Sequence, residues 1–261
     1  MALRIQNNVE AFNAHRNLTA TSGAAAKAME KLASGYRINR ASDDAAGLAI
    51  SEKMRAQITG LSQAQRNAQD GISLVQTAEG ALTEVHSMLN RVRELKVQYD
   101  NGTLNTEDKS AINKEITALA AEISDISLQT KFNDKVLFGT AATFEFVVGA
   151  AGTEKITTDA VSLASAAALN SASSIASIDE AIKVVSESRA GLGAVQNRLE
   201  HRLNNLATYQ ENLVAAESRV RDVDMAQEMV NFSKLQILQQ AGTAMLAQAN
   251  LSSQNVLSLL R

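Results

Sequence analysis

The chain has 261 residues, 45% of them hydrophobic but only 3% aromatic, and a formal net charge of −3. It carries no basic block, which argues against nucleic-acid binding, and the absence of cysteine excludes disulfides and thiolate chemistry. No run approaches the roughly 20 apolar residues of a membrane span. The first six residues lack the features of a secretory signal, so residue chemistry alone predicts a cytoplasmic protein.

The first part of the chain predicts two helices joined by a short connector. Residues 9–32 are rich in alanine, and their helix is expected to end near Gly35, which accepts the left-handed cap conformation. Residues 36–40 form an irregular connector. Ser42-Asp43-Asp44 supplies N-cap residues and negative charge for a second helix, which is predicted to run from Ala45 to about Tyr99.

The middle of the chain changes from helix to strand. Asp100-Asn101-Gly102 is a turn sequence, and Thr106-Glu107-Asp108 is predicted to cap a third helix that lasts to about Leu128. Residues 143–148 alternate like a strand, and residues 155–158 are predicted to return as the second strand of a small hairpin. A serine- and alanine-rich stretch then leads into a long C-terminal helix. The predicted fold class is mainly α with a small β-hairpin region.

Three sets of apolar residues recur at helical spacing, and each set forms one stripe on its helix. The C-terminal stripe has a strict seven-residue spacing: Ile178, Val185, Leu192, Leu199, Leu206, Leu213 and Val220. The other two advance in steps of three and four residues: Leu61, Ala64, Ala68, Gly71, Val75, Ala78, Leu82, Val85, Leu89 and Val92, and then Ile112, Ile116, Leu119, Ile123 and Ile126. Because a stripe needs a partner to leave water, the helices are predicted to bundle into a rod, an architecture that is usually structural.

The last predicted helix has no charged residue between Leu235 and Leu260. A surface helix normally carries charges on its wet face, so this helix is predicted to be buried among other helices or at an interface. Eleven polar residues in the same window argue against a membrane span. Because only the N-terminal helix is left to cover it, packing against copies of the same chain is favoured over burial within one domain.

Three segments resemble the signature sequences of bacterial flagellins. Residues 32–50 (LASGYRINRASDDAAGLAI) resemble the N-terminal signature of the family. Residues 129–133 (QTKFN) are similar to its segment after the third helix, and residues 255–261 (NVLSLLR) to its C-terminus. The three segments occur in the order and at the places that the family has them.

The resemblance implies an elongated antiparallel helical bundle, or coiled coil, of two domains. Residues 1–40 and 222–261 would pair as the terminal domain D0. Residues 41–221 would form the rod domain D1, with 132–174 as its β-hairpin or variable region and without the outer domains D2 and D3. The implied function is that of a structural subunit that polymerises into the flagellar filament for swimming motility. Its terminal helices would drive assembly and line the central channel.

The family also implies a route out of the cell and a set of partners. Flagellins travel unfolded through the flagellar type III export apparatus with an export chaperone, and reach the extracellular filament without a cleaved signal peptide. The absence of proline and cysteine suits that route, because no prolyl isomerisation or disulfide would slow passage and refolding. Further implied partners are other flagellin subunits, the flagellar cap, hook-associated junction proteins and the host's flagellin-sensing Toll-like receptor.

Three groups of residues are predicted to carry these functions. Burial of apolar side chains between subunits would drive polymerisation, and the residues assigned to it are Phe12, Leu18, Met225, Phe232, Leu235, Leu238, Met245, Leu246, Val256 and Leu260. The residues assigned to the connector between the two domains are Gly35, Arg37, Arg40, Asp222 and Asp224. There an arginine is expected to pair with an aspartate, the alternative being that all four charges are simply solvated. The resemblance places the receptor patch at Arg91, Leu95 and Glu115.

No sequence feature indicates catalysis, a metal or a cofactor. His15, His86 and His201 are far apart on predicted helices, and the chain has no HExxH motif, no phosphate-binding glycine loop and no GxSxG elbow. Two alternatives to a filament subunit stay open: a hook–filament junction protein, present in a few copies, and an intracellular coiled-coil scaffold. Abundance in sheared surface appendages would distinguish the filament subunit from both.

Overall fold

The structure is a computed structural model that describes residues 8–139, 143–159, 161–170 and 172–258, with side chains as far as Leu251. Within those residues the chain forms six α-helices and two antiparallel β-hairpins. The prediction of a mainly α fold with a small β-hairpin region is therefore confirmed.

Helix α1 spans Val9–Ser34, and both of its ends are capped locally. The side-chain oxygen of Asn8 accepts a hydrogen bond from the backbone N–H of Ala11 at 3.0 Å. At the other end Gly35 has φ 76°, a left-handed conformation that glycine adopts without steric strain, and its N–H donates to the carbonyl of Lys31. The predicted end of this helix is confirmed.

Helix α2 spans Ala45–Tyr99, as its sequence predicts. The side-chain oxygen of Asp44 accepts the backbone N–H of Gly47 at 2.8 Å, so Asp44 caps this helix. Asp43 instead stabilises the preceding connector, because its carboxylate accepts hydrogen bonds from the backbone N–H groups of Asn39 and Arg40. These hydrogen bonds, led by the one from Arg40, lower the pKa of Asp43.

Helix α3 spans Thr106–Gln129, and its cap differs from the prediction. The N-cap residue is Asn105, whose side-chain oxygen accepts the backbone N–H of Asp108 at 2.7 Å. Glu107 and Asp108 lie in the first turn instead, where their negative charges are favourable near the helix N-terminus. The prediction that residues 106–108 cap the helix was one residue too late.

Two hairpins follow α3. Strands β1 (Lys131–Phe132) and β2 (Lys135–Val136) are joined by Asn133 and Asp134, both at positive φ, as a type I′ hairpin turn requires. Strands β3 (Phe144–Val147) and β4 (Lys155–Thr158) pair with Phe144 opposite Thr158. The second hairpin is the one that the alternating sequence predicts.

The remaining helices are α4 (Ala164–Ala167), α5 (Ile175–Arg221) and α6 (Met225–Ser258). The chain forms two compact units, one of Met1–Arg55 with Leu213–Arg261 and one of Ala56–Asn212. These bounds differ from the domain limits predicted at residues 40 and 222, and the division into D0 and D1 stays a prediction.

The core of the second unit is built from the predicted stripes. All ten residues of the α2 stripe are buried, as are the first five residues of the α5 stripe, from Ile178 to Leu206. On α3, Ile112, Ile116 and Ile123 are buried, while the other two stripe residues are half-buried. The three- and four-residue spacing therefore identified the side of each helix that leaves water.

The β3–β4 hairpin is held on this core by polar side chains from two helices. Asn67 of α2 donates to the carbonyl of Val147 at 3.0 Å, and Arg202 of α5 donates to the carbonyl of Val148 at 3.1 Å. The hairpin turn lies so close to α2 that a Cβ at Gly60 would stand 2.9 Å from a carbonyl oxygen. Glycine at this position permits that approach.

Candidate functional site

The helices α1 and α6 of the first unit pair with each other in antiparallel orientation. The side-chain amide of Asn8, at the start of α1, donates to the carbonyl of Ala249 near the end of α6 at 2.9 Å. Farther along, Leu18 lies close enough to Gly242 that a Cβ there would stand 3.2 Å from the leucine Cδ1. At the other end of α1, the carbonyl of Gly35 accepts the N–H of Val223. We call α1 and α6 together the arm pair.

The seam between the two helices of the arm pair is narrow. On α1 it is a set of seven buried or half-buried residues at alternating steps of three and four: Ala11, Ala14, Leu18, Thr21, Ala25, Ala28 and Leu32. On α6 the half-buried residues at matching steps include Phe232, Leu235, Gly242, Leu246 and Ala249. Between Met225 and Leu251 no α6 residue is fully buried. Half of these twelve residues are alanine or glycine, so the seam removes less apolar area from water than a seam of large side chains would.

The opposite side of α6 carries a second apolar stripe. Val230, Ile237, Ala244 and Leu251 follow one another at seven-residue intervals, at positions that helical geometry places farthest from the seam. Val230 is 72% exposed and Ile237 is 65% exposed. We call these four residues the outer stripe. Its side chains face away from α1, so α1 cannot cover it.

Further large apolar side chains are exposed elsewhere on the arm pair. On α6 they are Met225, Met229, Leu238 and Met245, and on α1 they are Val9, Phe12 and Met29. On α6 itself, no charged residue follows Lys234 before the helix ends at Ser258. Several large apolar side chains exposed on one helix pair are typical of a site that another protein covers.

The structure divides the residues predicted for polymerisation into two groups. Phe12, Met225, Leu238 and Met245 are exposed and available to a partner. The half-buried ones lie on the seam, where they hold α1 and α6 together, and they are Leu18, Phe232, Leu235 and Leu246. The side chain of Val256 and the whole of Leu260 lie outside what the structure describes.

Sequence reasoning missed all four residues of the outer stripe: Val230, Ile237, Ala244 and Leu251. Their seven-residue spacing was a readable signal, because a helix with two apolar stripes on opposite sides needs two partners. Val9, which is also exposed, carried no comparable signal.

The predicted connector residues form a short antiparallel contact within the first unit. Tyr36 pairs with Asp222 in a β-bridge, and the backbone N–H of Arg37 donates to the carbonyl of Arg221 at 2.7 Å. The Arg37 guanidinium donates to the carbonyl of Val220 at 2.7 Å. Asp224 caps α6 by accepting the backbone N–H groups of its first turn.

The arginine–aspartate pair predicted in the connector is not the one that forms. Arg40 pairs with Glu30 of α1 at 3.0 Å, and the Arg37 guanidinium donates to the backbone carbonyl of Val220. The carboxylate of Asp224 accepts backbone N–H groups of the first turn of α6. Arg221, at the end of α5, instead pairs with Glu52 of α2 at 2.7 Å. Its guanidinium also lies over the ring of Tyr36 in the connector.

The described residues contain no cluster of side chains suited to a metal ion. They contain no group of three or more histidine, cysteine, aspartate or glutamate side chains that could hold a metal ion. His15 and His201 are exposed on helix surfaces, and His86 is half-buried with an Nδ1 atom that has no hydrogen-bond partner. In the part of the chain that is described, no helix is long and apolar enough to cross a membrane.

Two family models match the chain and together span most of its length. The bacterial flagellin N-terminal helical region matches residues 5–143, and the bacterial flagellin C-terminal helical region matches residues 175–260. The chain belongs to the bacterial flagellin family. As a member of that family it is a structural subunit of the bacterial flagellar filament, and the family implies motility and an extracellular location.

Individual flagellins are similar over nearly the whole chain. The flagellin of Halalkalibacterium halodurans is 56% identical over 270 residues, covering 98% of this chain and 99% of the relative. The flagellin of Bacillus subtilis is 50% identical over 306 residues, covering 99% and 100%. Among solved structures, the crystal structure of Bacillus cereus flagellin is 32% identical with a TM-score of 0.50, and the match covers 58% of this chain and 94% of that one.

The residues that the flagellin resemblance assigns to a receptor patch lie on α2 and α3 of the second unit. The Arg91 guanidinium is 2.9 Å from the Glu115 carboxylate, and the hydrogen bonds to Glu115 raise the pKa of Arg91. Both side chains are about half exposed. Leu95 is 2% exposed and belongs to the core of this unit, so only Arg91 and Glu115 present themselves at the surface.

Proposed function

We propose that the arm pair is the element through which this flagellin polymerises. The observation that carries the proposal is the outer stripe, an apolar row on the side of α6 that α1 cannot reach. A helix that is apolar on two opposite sides is stable in water only when both sides are covered. The seam covers one side within the subunit, and other subunits would cover the second.

The energetics favour a repeating lattice over a single contact. Full burial of a large apolar side chain is worth roughly 1.5–3 kcal/mol, and the outer stripe residues already have part of their area covered. Association costs about 4–15 kcal/mol in lost freedom, so one such contact does not hold two subunits together. Several neighbours around each arm pair would supply the remainder. A contact between different surfaces of identical subunits repeats without closing, which produces a filament.

We assign the arm pair to the terminal domain D0, formed by residues 1–40 and 222–261, and residues 41–221 to the rod domain D1. In this assignment the charge-free part of α6, from Leu235 onward, lies in the inner part of the filament and its polar side chains border the central channel. The numerous glutamine, asparagine, serine and threonine residues of α6 support that placement, because an aqueous channel wall requires polar groups without requiring charge.

The test is seeded assembly of the full chain. Purified subunits are mixed with short filament fragments, or with a precipitating salt, and examined by electron microscopy. We expect long uniform tubes with a central channel and with α1 and α6 at low radius. A chain that stays a monomer or dimer under these conditions would instead support a hook–filament junction protein or a scaffold, and would overturn the proposal.

The route to the filament and its accessory partners follow from the same assignment. We propose export in an unfolded state through the flagellar type III apparatus with a chaperone, without a cleaved signal peptide, and contacts with the cap and with hook-associated junction proteins. The chain's lack of cysteine and proline supports threading and rapid refolding. The role is structural, without catalysis.

Recognition by the flagellin-sensing Toll-like receptor is proposed through Arg91 and Glu115. Two oppositely charged side chains about half exposed on neighbouring helices offer a polar surface for a partner. Substitution Arg91→Ala should reduce receptor signalling in a reporter cell line, whereas Arg93→Ala, which removes the partner of Asp179 on another face, should not. Equal signalling by wild type and Arg91→Ala would remove this assignment.

A further inference from the structure

The chain's sulfur chemistry resides entirely in methionine, because it has seven methionines and no cysteine. Four of them, Met29, Met225, Met229 and Met245, are between 47% and 62% exposed, and all four belong to the arm pair. Met88, in the second unit, is by contrast partly buried against the hydrophobic core. Exposed thioethers are therefore concentrated on the surface proposed for assembly.

We propose that these four methionines are an oxidation-sensitive modification site that controls assembly. The inference rests on the proposed function of the arm pair. The modifying reagent is hydrogen peroxide. A lone pair of the thioether sulfur attacks one peroxide oxygen, and the O–O bond breaks to release hydroxide. The hydroxide takes the proton from the oxygen now bound to sulfur and leaves as water. The sulfur is oxidised by two electrons to the sulfoxide, and the peroxide is reduced.

Oxidation at these positions weakens assembly without disrupting the fold of the subunit. A sulfoxide is a polar group with a strong hydrogen-bond acceptor, and in the free subunit its oxygen points into water at no cost to the fold. Covering the same oxygen with an apolar face of another subunit leaves the acceptor without a partner, which is unfavourable. Met245 lies within the charge-free part of α6, where no ammonium or guanidinium group is available as a donor. The oxidised subunit stays folded and loses affinity for its neighbours.

The experiment treats dissociated full-length subunits with hydrogen peroxide and measures two quantities. Peptide mass spectrometry follows oxygen addition at each methionine, and sedimentation after seeding gives the critical concentration for assembly. We expect the four arm-pair methionines to be oxidised before Met88. The critical concentration should rise about tenfold, as expected when several buried apolar contacts become polar, with an unchanged circular dichroism spectrum. Incubation with both methionine sulfoxide reductases should restore the original critical concentration.

Substitution provides a matched control. Leucine is similar to methionine in volume and cannot be oxidised, so a variant with leucine at all four positions should assemble and resist peroxide. Met88→Leu should remain as sensitive as the wild type. Oxidised subunits that assemble at the wild-type critical concentration, or sensitivity that reductases do not reverse, would overturn the inference. Untreated subunits that form no filaments would instead contradict the proposed function, so the two failures are distinguishable.

Discussion

The substitution Ile237→Gln tests the outer stripe most directly. Ile237 remains 65% exposed in the arm pair, so a glutamine there removes an apolar surface that the subunit itself does not use. Full burial of isoleucine is worth roughly 1.5–3 kcal/mol, and the exposed fraction therefore corresponds to about 1–2 kcal/mol gained only on assembly. The critical concentration should rise by about 5- to 30-fold, because each 1.4 kcal/mol changes an equilibrium constant tenfold. Glutamine is a good helix former, so α6 itself should be unaffected.

The matched control is Leu128→Gln at the end of α3. Leu128 is 64% exposed, almost the same as Ile237, but it belongs to the second unit and lies outside the arm pair. Both variants lose a comparable amount of exposed apolar surface and should have the wild-type helix content. Sedimentation after seeding should show an altered critical concentration for Ile237→Gln and less than about a twofold change for Leu128→Gln.

Two outcomes would refute the reasoning. Equal effects of the two substitutions would show that loss of apolar surface in general, and not the position opposite the seam, controls assembly. Normal assembly of Ile237→Gln would show that the outer stripe stays in water within the filament. A loss of helix content in Ile237→Gln would be visible by circular dichroism before any assembly measurement.

Three further predictions concern other parts of the chain. Deletion of residues 251–261 should leave a folded, soluble subunit that forms no filaments, and filaments of normal length on electron micrographs would contradict this. Gly193→Ala should raise the free energy of unfolding in urea by about 0.5–1 kcal/mol, because a Cβ there meets no atom within 4 Å and alanine favours the helix. Gly71→Ala should lower it instead, because its Cβ would stand 3.0 Å from the ring of Phe146. The backbone hydrogen bonds of Asp43, led by the one from Arg40, lower its pKa. These bonds should therefore stabilise the connector fully at a pH above the ordinary aspartate pKa, and the stabilisation should be lost as the pH falls through the lowered value. Amide chemical shifts of the connector should show that transition, and Asp43→Asn should abolish it.

Local signals in the sequence predicted most of the helices. The bounds of α2 follow from the N-cap residue Asp44 at one end and the turn sequence Asp100-Asn101-Gly102 at the other. Both signals determine the backbone conformation of residues close to them in sequence. The end of α1 follows from the left-handed conformation of Gly35. The cap of α3 was misplaced by one residue because Asn105 and Thr106 are both good N-cap residues, and only the backbone conformation decides between them.

The candidate site was less predictable because it depends on which faces of a helix remain uncovered. Leu246 and Met245 are neighbours of similar hydrophobicity, yet the first is half-buried on the seam and the second is 62% exposed. Sequence reasoning placed both in one group. The sequence also did not distinguish Leu95, which is buried in the core, from Arg91 and Glu115 at the surface.

The sequence by itself determined the helices, the stripes on them and the long charge-free segment, because hydrophobic spacing and capping act along the chain. Only the tertiary structure decided that α1 covers one side of α6 and leaves the outer stripe open, since that depends on the register of two segments more than 200 residues apart. The same holds for the charges near the connector, where Arg40 pairs with Glu30 and Arg221 with Glu52, and not with the predicted aspartates. Contacts between residues distant in sequence depend on how the helices pack. Local sequence patterns do not specify which distant residue becomes the partner.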